Sequence, residues 1–479
     1  MKKFLLICSL FFAFASSPAQ TLSSGNKLLD DAFRLAVWTL DTNTHNGIIH
    51  AGAGYGGEWT RDCAINCWNA ASLLRPHDAQ SSLWSVTIDS LRIGHQYWDK
   101  IIWVMAAYNH WLTNFDSAML RKAYACGVTT INELINDCFD SQEGLFMGPA
   151  VFQDGIAGYD QPVFDPAKWD DSFVLHHPNS RSIKCLSTNI AYYMALCTLS
   201  QMALDMFNLG IPVPDNIYLQ HALWSRKAAS LAGAIRSHFF QPDSCKLYYL
   251  IDHLGTPHQY QEGLGLALAL MTDIFTSHER LRLIQNAYVS PLGIPCVYPS
   301  FPRYSDLKPG RHNMMIWPHV NSFFAHGCAM NNCYERFYSE LYNMANLAIN
   351  HGNSNFYEIY TLQGQPSGGY QCGALWDPKP HQTWCATGFI NLIVRDVFGL
   401  QFTPEGISFY PIGIPDSEVC SISGLPFRNT TLNITLIGHG KYIRSTTING
   451  VEDDYAHFEY PDNPDSLYNI IIELTSTPQ

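Results

Sequence analysis

Apolar residues recur at a spacing of three and four along most of the chain, the period of helices that bury one face. Ten such stretches stand out: Lys27 to Leu40, Cys63 to Leu74, Ile101 to Leu112, Met119 to Cys138, Thr188 to Phe207, Tyr218 to Phe239, Glu262 to Ile274, Val320 to Ala329, Tyr334 to Ile349 and Thr383 to Phe398. Segments 41–61, 140–186, 241–261, 289–317 and 351–381 lie between them and hold much of the Gly, Pro, Trp and Asp, a density beyond what connectors need. Helices joined alternately by short turns and long loops predict a toroid of helical hairpins, with the long loops gathered at one end around a depression. After Gly399 the period falls to two, in Gly406 to Tyr410, Thr430 to Leu436 and Leu467 to Leu474, with turn signals at Gly438-His439-Gly440 and Asn449-Gly450. The expectation is a mainly α chain: a helical unit over 20–398, then a small antiparallel β-sandwich over 399–479.

Residues 1–19 read as a signal peptide. Lys2 and Lys3 precede an apolar run from Phe4 to Ala15, and Ser17-Pro18-Ala19 supplies small residues for cleavage. That predicts export to the periplasm or beyond. Cys8 follows the bulky Ile7, a poor lipoprotein cleavage site, and no other apolar stretch approaches the roughly 20 residues a bilayer needs. With 479 residues, 47% hydrophobic and 14% charged, the chain can bury a large core. A net charge of −13 without any basic run argues against nucleic-acid or anionic-membrane partners. Setting Cys8 aside leaves 13 of the 14 cysteines, an odd number with no zinc-type CxxC pair. Cys63, Cys67, Cys126, Cys185, Cys197 and Cys328 sit in or beside apolar stretches, as buried free thiols do. His319, His326, His351 and His381 show no metal-ligand spacing, so neither metal nor cofactor is expected.

Two separated segments each offer a carboxylate among residue types that bind sugars. Phe146 to Tyr159 surrounds Asp154, and Phe356 to Gln371 surrounds Glu358. Cleaving a glycosidic bond needs one carboxyl group to protonate the leaving oxygen and another to activate water or attack the anomeric carbon, so a pair of this kind points to that chemistry. Phe146, Val151, Phe152 and Ile156 are expected to give Asp154 the apolar surround that keeps an acid protonated. Asp160 and Asp165 are its rivals, and a turn Asp or a solvated loop Glu are the bland readings of the pair. Around them, Gly54 to Asp62 brings Trp59 to stack on a sugar and Arg61 with Asp62 to grip its hydroxyls, unless Asp62 only caps a helix. Trp317, His319 and Asn321 stand at a Pro-opened helix start, and Gln371, Gln382 and Trp384 follow a glycine-rich segment after Glu358.

Taken in order, Trp59-Thr60-Arg61-Asp62, Trp98-Asp99, the Asp154 loop, Ser187-Thr188-Asn189, Trp317-Pro318-His319-Val320-Asn321, Glu358 with Gly364-Gln365-Pro366, and Gln382-Thr383-Trp384 resemble the six-hairpin glycosidases. The pattern is most similar to glycoside hydrolase family 63 and the debranching-type α-glucosidases. The resemblance implies an (α/α)6 barrel and inversion of configuration. Asp154 falls in the place of the general acid and Glu358 in that of the base. Arg61 and Asp62 match the pair that holds the nonreducing sugar, and Trp59, Trp317, Asn321 and Trp384 would shape its subsite. Twelve helices are implied, so two more are expected near 80–95 and 278–288. The family's acid usually sits in a longer loop than Phe152-Gln153-Asp154-Gly155. An exo-acting enzyme on a terminal α-linked sugar is the expectation. α-L-Rhamnosidase, α-mannosidase, polysaccharide lyase and silent sugar-binding protein are the alternatives.

Overall fold

The computed structural model describes residues 20–55, 59–160, 172–213, 216–453, 455–460 and 466–477. The signal-peptide segment and Asp165 lie outside them. Each apolar stretch forms a helix within a few residues of its expected bounds, because periodicity over three or more turns fixes which face can be buried. Two further helices, Pro76–Ser85 and Ser277–Asn286, complete the set. The first opens on a Pro at its first turn and ends before residue 86, short of the expected 95. The second opens on a capping box, in which the Thr276 hydroxyl accepts from Glu279 N while the Glu279 carboxylate accepts from Thr276 N. The helix expected to run from Glu262 to Ile274 stops at Leu270. Arg280 takes up the carbonyl of Thr272 beyond it at 3.0 Å.

Helices Thr60–Asn66, Ile102–Asn114, Leu186–Asn208, Gly263–Leu270, Pro318–Met330 and Thr383–Asn391 pack each against the next, and the last returns to the first. Their apolar residues run all round. Every residue of Gly263–Leu270 is buried, as for an element enclosed on all sides. Outside them lie Lys27–Thr42, Pro76–Ser85, Ser117–Cys138, Ile217–Phe239, Ser277–Asn286 and Tyr334–Asn346, each against an inner neighbour. Lys27–Thr42 is one-sided instead: Leu29, Ala32, Phe33, Ala36, Val37 and Leu40 face inward. The long loops 41–61, 140–186, 289–317 and 351–381 all lead into the N-terminal ends of inner helices, which places their functional residues at one end.

The C-terminal strands form two sheets. Leu400–Phe402, Gly406–Phe409 and His457–Glu459 make an antiparallel triplet. A six-stranded sheet runs Thr21–Ser23, Val419–Phe427, Thr430–Gly438, Leu467–Thr475, Tyr442–Ile448 and Val451–Asp453. It departs from the expected sandwich in two ways. Thr430–Gly438 and Leu467–Thr475 pair in parallel, so the sheet is mixed. One of its two edge strands is Thr21–Ser23, from the other end of the chain, with Thr21 opposite Ser423. Arg428 ties the strands to the helices: its guanidinium donates to the Leu112 carbonyl at 2.9 and 3.1 Å and to the Pro404 carbonyl at 2.9 Å. It thereby satisfies the C-terminal end of Ile102–Asn114, where cations are favoured. All thirteen cysteines among the described residues are free, and no helix there is long and apolar enough to cross a membrane.

Candidate active site

At the N-terminal end of the inner helices, the loops enclose a cavity of about 170 Å³. Asp154 and Glu358 both line it, with Trp59, Arg61, Asp62, Trp317, Gln371 and Trp384. Two loops far apart in sequence therefore meet at one place, and glycines permit the approach. A Cβ on Gly155 would stand 2.3 Å from the Gln371 Oε1, and one on Gly369, at φ +69°, would stand 2.5 Å from the Arg311 Cα. The Asp154 loop is held from below by Leu186–Asn208: Ser187 Oγ accepts from Val151 N at 3.0 Å, and Asn189 brackets Phe146 with bonds of 2.7 and 3.0 Å. Phe152, two residues before Asp154, is buried at φ +65°, a left-handed conformation that a bulky residue adopts only where its surroundings impose it.

The carboxylate of Asp154 does not sit in the apolar surround expected for it. Its side chain is 32% exposed, and its Oδ2 accepts from Arg61 Nη2 at 3.1 Å. The hydrophobic neighbours Val151 and Ile156 turn into the core, where they bury more area. Asp160, the rival in the same loop, is engaged elsewhere, 2.7 Å from His258 Nδ1.

Arg61 is nearly buried and feels the charge of four acids, Glu358 among them. Besides Asp154, it lies 3.6 Å from Asp62 Oδ2, and the charge of Asp99 also acts on it. Asp62 is not the helix cap, since Trp59 holds that position without a side-chain bond. Burial, with Glu358 and Asp154 adding repulsion against the pull of Arg61, pushes the Asp62 carboxyl up to about 7. Burial likewise pushes Asp99 up to about 7, with Arg61 opposing and Asp154 and Asp62 adding.

Glu358 is not a solvated loop residue; it is 3% exposed. Burial alone would raise its pKa, but the adjacent Arg311 guanidinium, then His312 and the Tyr55 hydroxyl, hold it well below the usual carboxylate range. Arg311 Nη2 donates to Oε1 at 2.8 Å, His312 Nε2 stands 3.3 Å from the same oxygen, and the Tyr55 hydroxyl donates to Oε2 at 2.6 Å. His312 is stacked on Trp317, ring centroids 4.0 Å apart and planes 3° from parallel. Burial and the Arg311 charge lower its pKa, so the ring is neutral at pH 7. Sequence reasoning missed all three partners. Tyr55 stands in the same glycine-rich motif as Trp59 and was within reach of it; Arg311-His312 carries no local signal.

Five residues singled out in the sequence lie behind the cavity wall and do not line it. Trp98 and Asp99 are buried, Trp98 against Tyr97 and Phe173. His319 stacks on the back of Trp384 at 4.6 Å, and burial drives its pKa well down. Asn321 turns the other way and donates to Glu340 Oε2 at 2.8 Å, because its place in the second turn of Pro318–Met330 faces the neighbouring helix. Gln382 is enclosed against Gly52, where a Cβ would come within 2.7 Å of its amide nitrogen.

No known protein family is matched by the sequence, and no curated protein matches it. The fold, in contrast, is similar to solved structures. A sialidase aligns with a TM-score of 0.67 at 12% identity, over 94% of this chain and 41% of its own. A GH63 mannosylglycerate hydrolase from Thermus thermophilus aligns at 0.57 and 14%, over 75% of this chain and 99% of its own. A GH78 family rhamnosidase of Bacillus sp. GL1 aligns at 0.54 and 10%, over 88% and 42%. The chain thus spans less than half of the sialidase and the Bacillus rhamnosidase but almost all of the mannosylglycerate hydrolase. Its fold is of the six-hairpin glycosidase type.

Proposed function

We propose that the chain is an inverting, exo-acting glycoside hydrolase that releases a terminal α-linked sugar from an oligosaccharide or glycoconjugate. Asp154 is the general acid and Glu358 the general base. The observation that carries the reading is that these two carboxylates, more than 200 positions apart, share one small cavity with aromatic and guanidinium groups. In the reaction Glu358 takes a proton from water, the water oxygen attacks the anomeric carbon, the bond to the leaving oxygen breaks, and Asp154 protonates that oxygen. An inverting enzyme keeps its carboxyl groups about 6.5–9.5 Å apart to admit that water. Trp59, Trp317 and Trp384 offer faces for a sugar ring, and Arg61, Asp62 and Gln371 offer paired donors and acceptors for its hydroxyls. Asp99, through its charge on Arg61, and His319, stacked on Trp384, act from behind by holding those groups in place.

The architecture we assign is an (α/α)6 barrel over 20–398, supported by the cyclic order of helix packing, with a β unit over 399–479 to which the barrel segment contributes the strand Thr21–Ser23. Export follows from the character of residues 1–19. The structural neighbours are named for mannosylglycerate and for rhamnose, so mannose and rhamnose stand beside glucose as the sugar. Polysaccharide lyase is kept as a second reading, because Tyr55 and His312 beside Arg311 are the groups that β-elimination next to a uronate needs. Assaying aryl α-glucosides, α-mannosides and α-L-rhamnosides, with NMR of the first-formed anomer, tests the proposal. Release of the inverted anomer is expected. A retained anomer sinks the mechanism, and an unsaturated uronide product from an acidic polysaccharide selects the lyase.

A further inference from the structure

The donors around Glu358 are unequally shared between its two oxygens. A carboxylate offers about four acceptor sites, two on each oxygen. Oε1 is occupied twice, by Arg311 Nη2 at 2.8 Å and His312 Nε2 at 3.3 Å. Oε2 accepts from Tyr55 at 2.6 Å. The same Arg311 Nη2 donates to the Tyr55 hydroxyl at 3.0 Å. That hydroxyl has a single proton, which must therefore point at Oε2. His312 must carry its proton on Nε2 to serve a carboxylate, and its stack on Trp317 stops the ring from turning. Arg311 is itself anchored by the Gly368 carbonyl at 2.9 Å and lies over the Trp376 ring. Three loops thus converge on one carboxylate.

We infer that Tyr55, Arg311 and His312 are positioning residues that make Glu358 a base with one working oxygen: Oε1 is closed, and the remaining site on Oε2 takes the proton of the attacking water. The inference rests on the proposed role of Glu358 as general base. It fixes where the water must sit, on the Oε2 side beside Tyr55, while its oxygen bonds to the anomeric carbon and Asp154 supplies the proton that leaves with the aglycone. Charged and titratable groups facing Glu358 besides these three are Arg61, Asp62 and Asp154 from the cavity, and His319, Cys296 and Cys385 from the surrounding wall.

The test compares Tyr55→Phe, Arg311→Met and Arg311→Lys with wild type by two measurements. One is the pH profile of kcat/KM on an aryl α-glycoside. The other is an infrared titration of the Glu358 carboxyl, identified as the band missing in Glu358→Gln, which needs no turnover. Loss of one donor raises the pKa at which Glu358 protonates, so the acid limb and the infrared midpoint both move to higher pH. The expected shift is about one unit in Tyr55→Phe and on the order of 1–3 units in Arg311→Met, with Arg311→Lys falling between Arg311→Met and wild type. A folded Tyr55→Phe whose infrared midpoint equals that of wild type overturns the inference, whatever its turnover. A normal infrared shift in a protein whose wild type hydrolyses no glycoside overturns the hydrolase reading instead.

Discussion

Arg61 and Asp154, 93 positions apart, meet at 3.1 Å on the wall of the cavity. The contact joins the start of the first inner helix to a loop beyond the second, and it places one guanidinium between the proposed acid and the buried carboxyls of Asp62 and Asp99. The site is thus an alternation of charge: Arg61 with its acids on one side, and Glu358 with Arg311 on the other.

Replacing Glu358 by Gln is expected to lower kcat by at least 10²–10⁴-fold while sugar binding persists, since the amide keeps the shape and loses the base. Asp154→Asn should depend on the leaving group. An aryl group that departs without protonation should be cleaved nearly as fast as by wild type, whereas an alkyl glycoside should lose about the same 10²–10⁴-fold. Equal losses on both substrates would remove Asp154 from the role of acid.

Arg61→Met is expected to push the Asp62 and Asp99 carboxyls further above about 7, because Arg61 is the cation that opposes burial at both. At neutral or lower pH the two carboxyls stay protonated and do not become stranded charges, so the loss of stability grows as pH rises. Chemical denaturation of the variant at pH 6 and pH 9 checks this: a small loss at pH 6 and a larger one at pH 9 are expected, and a loss independent of pH would contradict it.

Asp99 gives stability a pH dependence with a definite sign. Its folded-state pKa is raised from 3.8 to about 7, so ionising it costs free energy only in the folded protein. Its contribution is complete below the unfolded value and is lost as pH rises through about 7. Asp99→Asn should therefore unfold at a higher temperature than wild type at pH 8 and at nearly the same temperature at pH 4. A gain at pH 4 as large as that at pH 8 would refute the assignment.

Gly155→Ala should disturb both loops, since the new methyl would press on the Gln371 Oε1 that accepts from Ala157 N at 3.3 Å. Overpacking of this kind costs about 1–3 kcal/mol. The double variant with Gln371→Ala should recover most of the loss, and thermal unfolding of the pair distinguishes this contact from a general intolerance at residue 155.

Much of the fold was legible because helical period is local. Leu29, Phe33, Ala36 and Leu40 declare their shared face within a dozen residues, and the same holds for the other nine stretches. The helix at Ser277–Asn286 was located without its start being recognised, although Thr276 and Glu279 give a capping box in plain sequence. Asp154 and Glu358 were visible as candidates because acid, glycine and aromatic residues cluster around each.

The chain by itself determined the helices, the shift to alternating strands after Gly399 and the two candidate carboxylates, since each is written in neighbours a few positions apart. Only the tertiary structure decided which side chains surround those carboxylates. It brought Tyr55, Arg311 and His312 to Glu358, sent Asn321 to Glu340 and not to the cavity, and laid Thr21–Ser23 beside Val419–Phe427. These pairings span tens to hundreds of residues, and their partners are selected by ring closure of the helices and by the burial of charge. Neither leaves a period in the sequence.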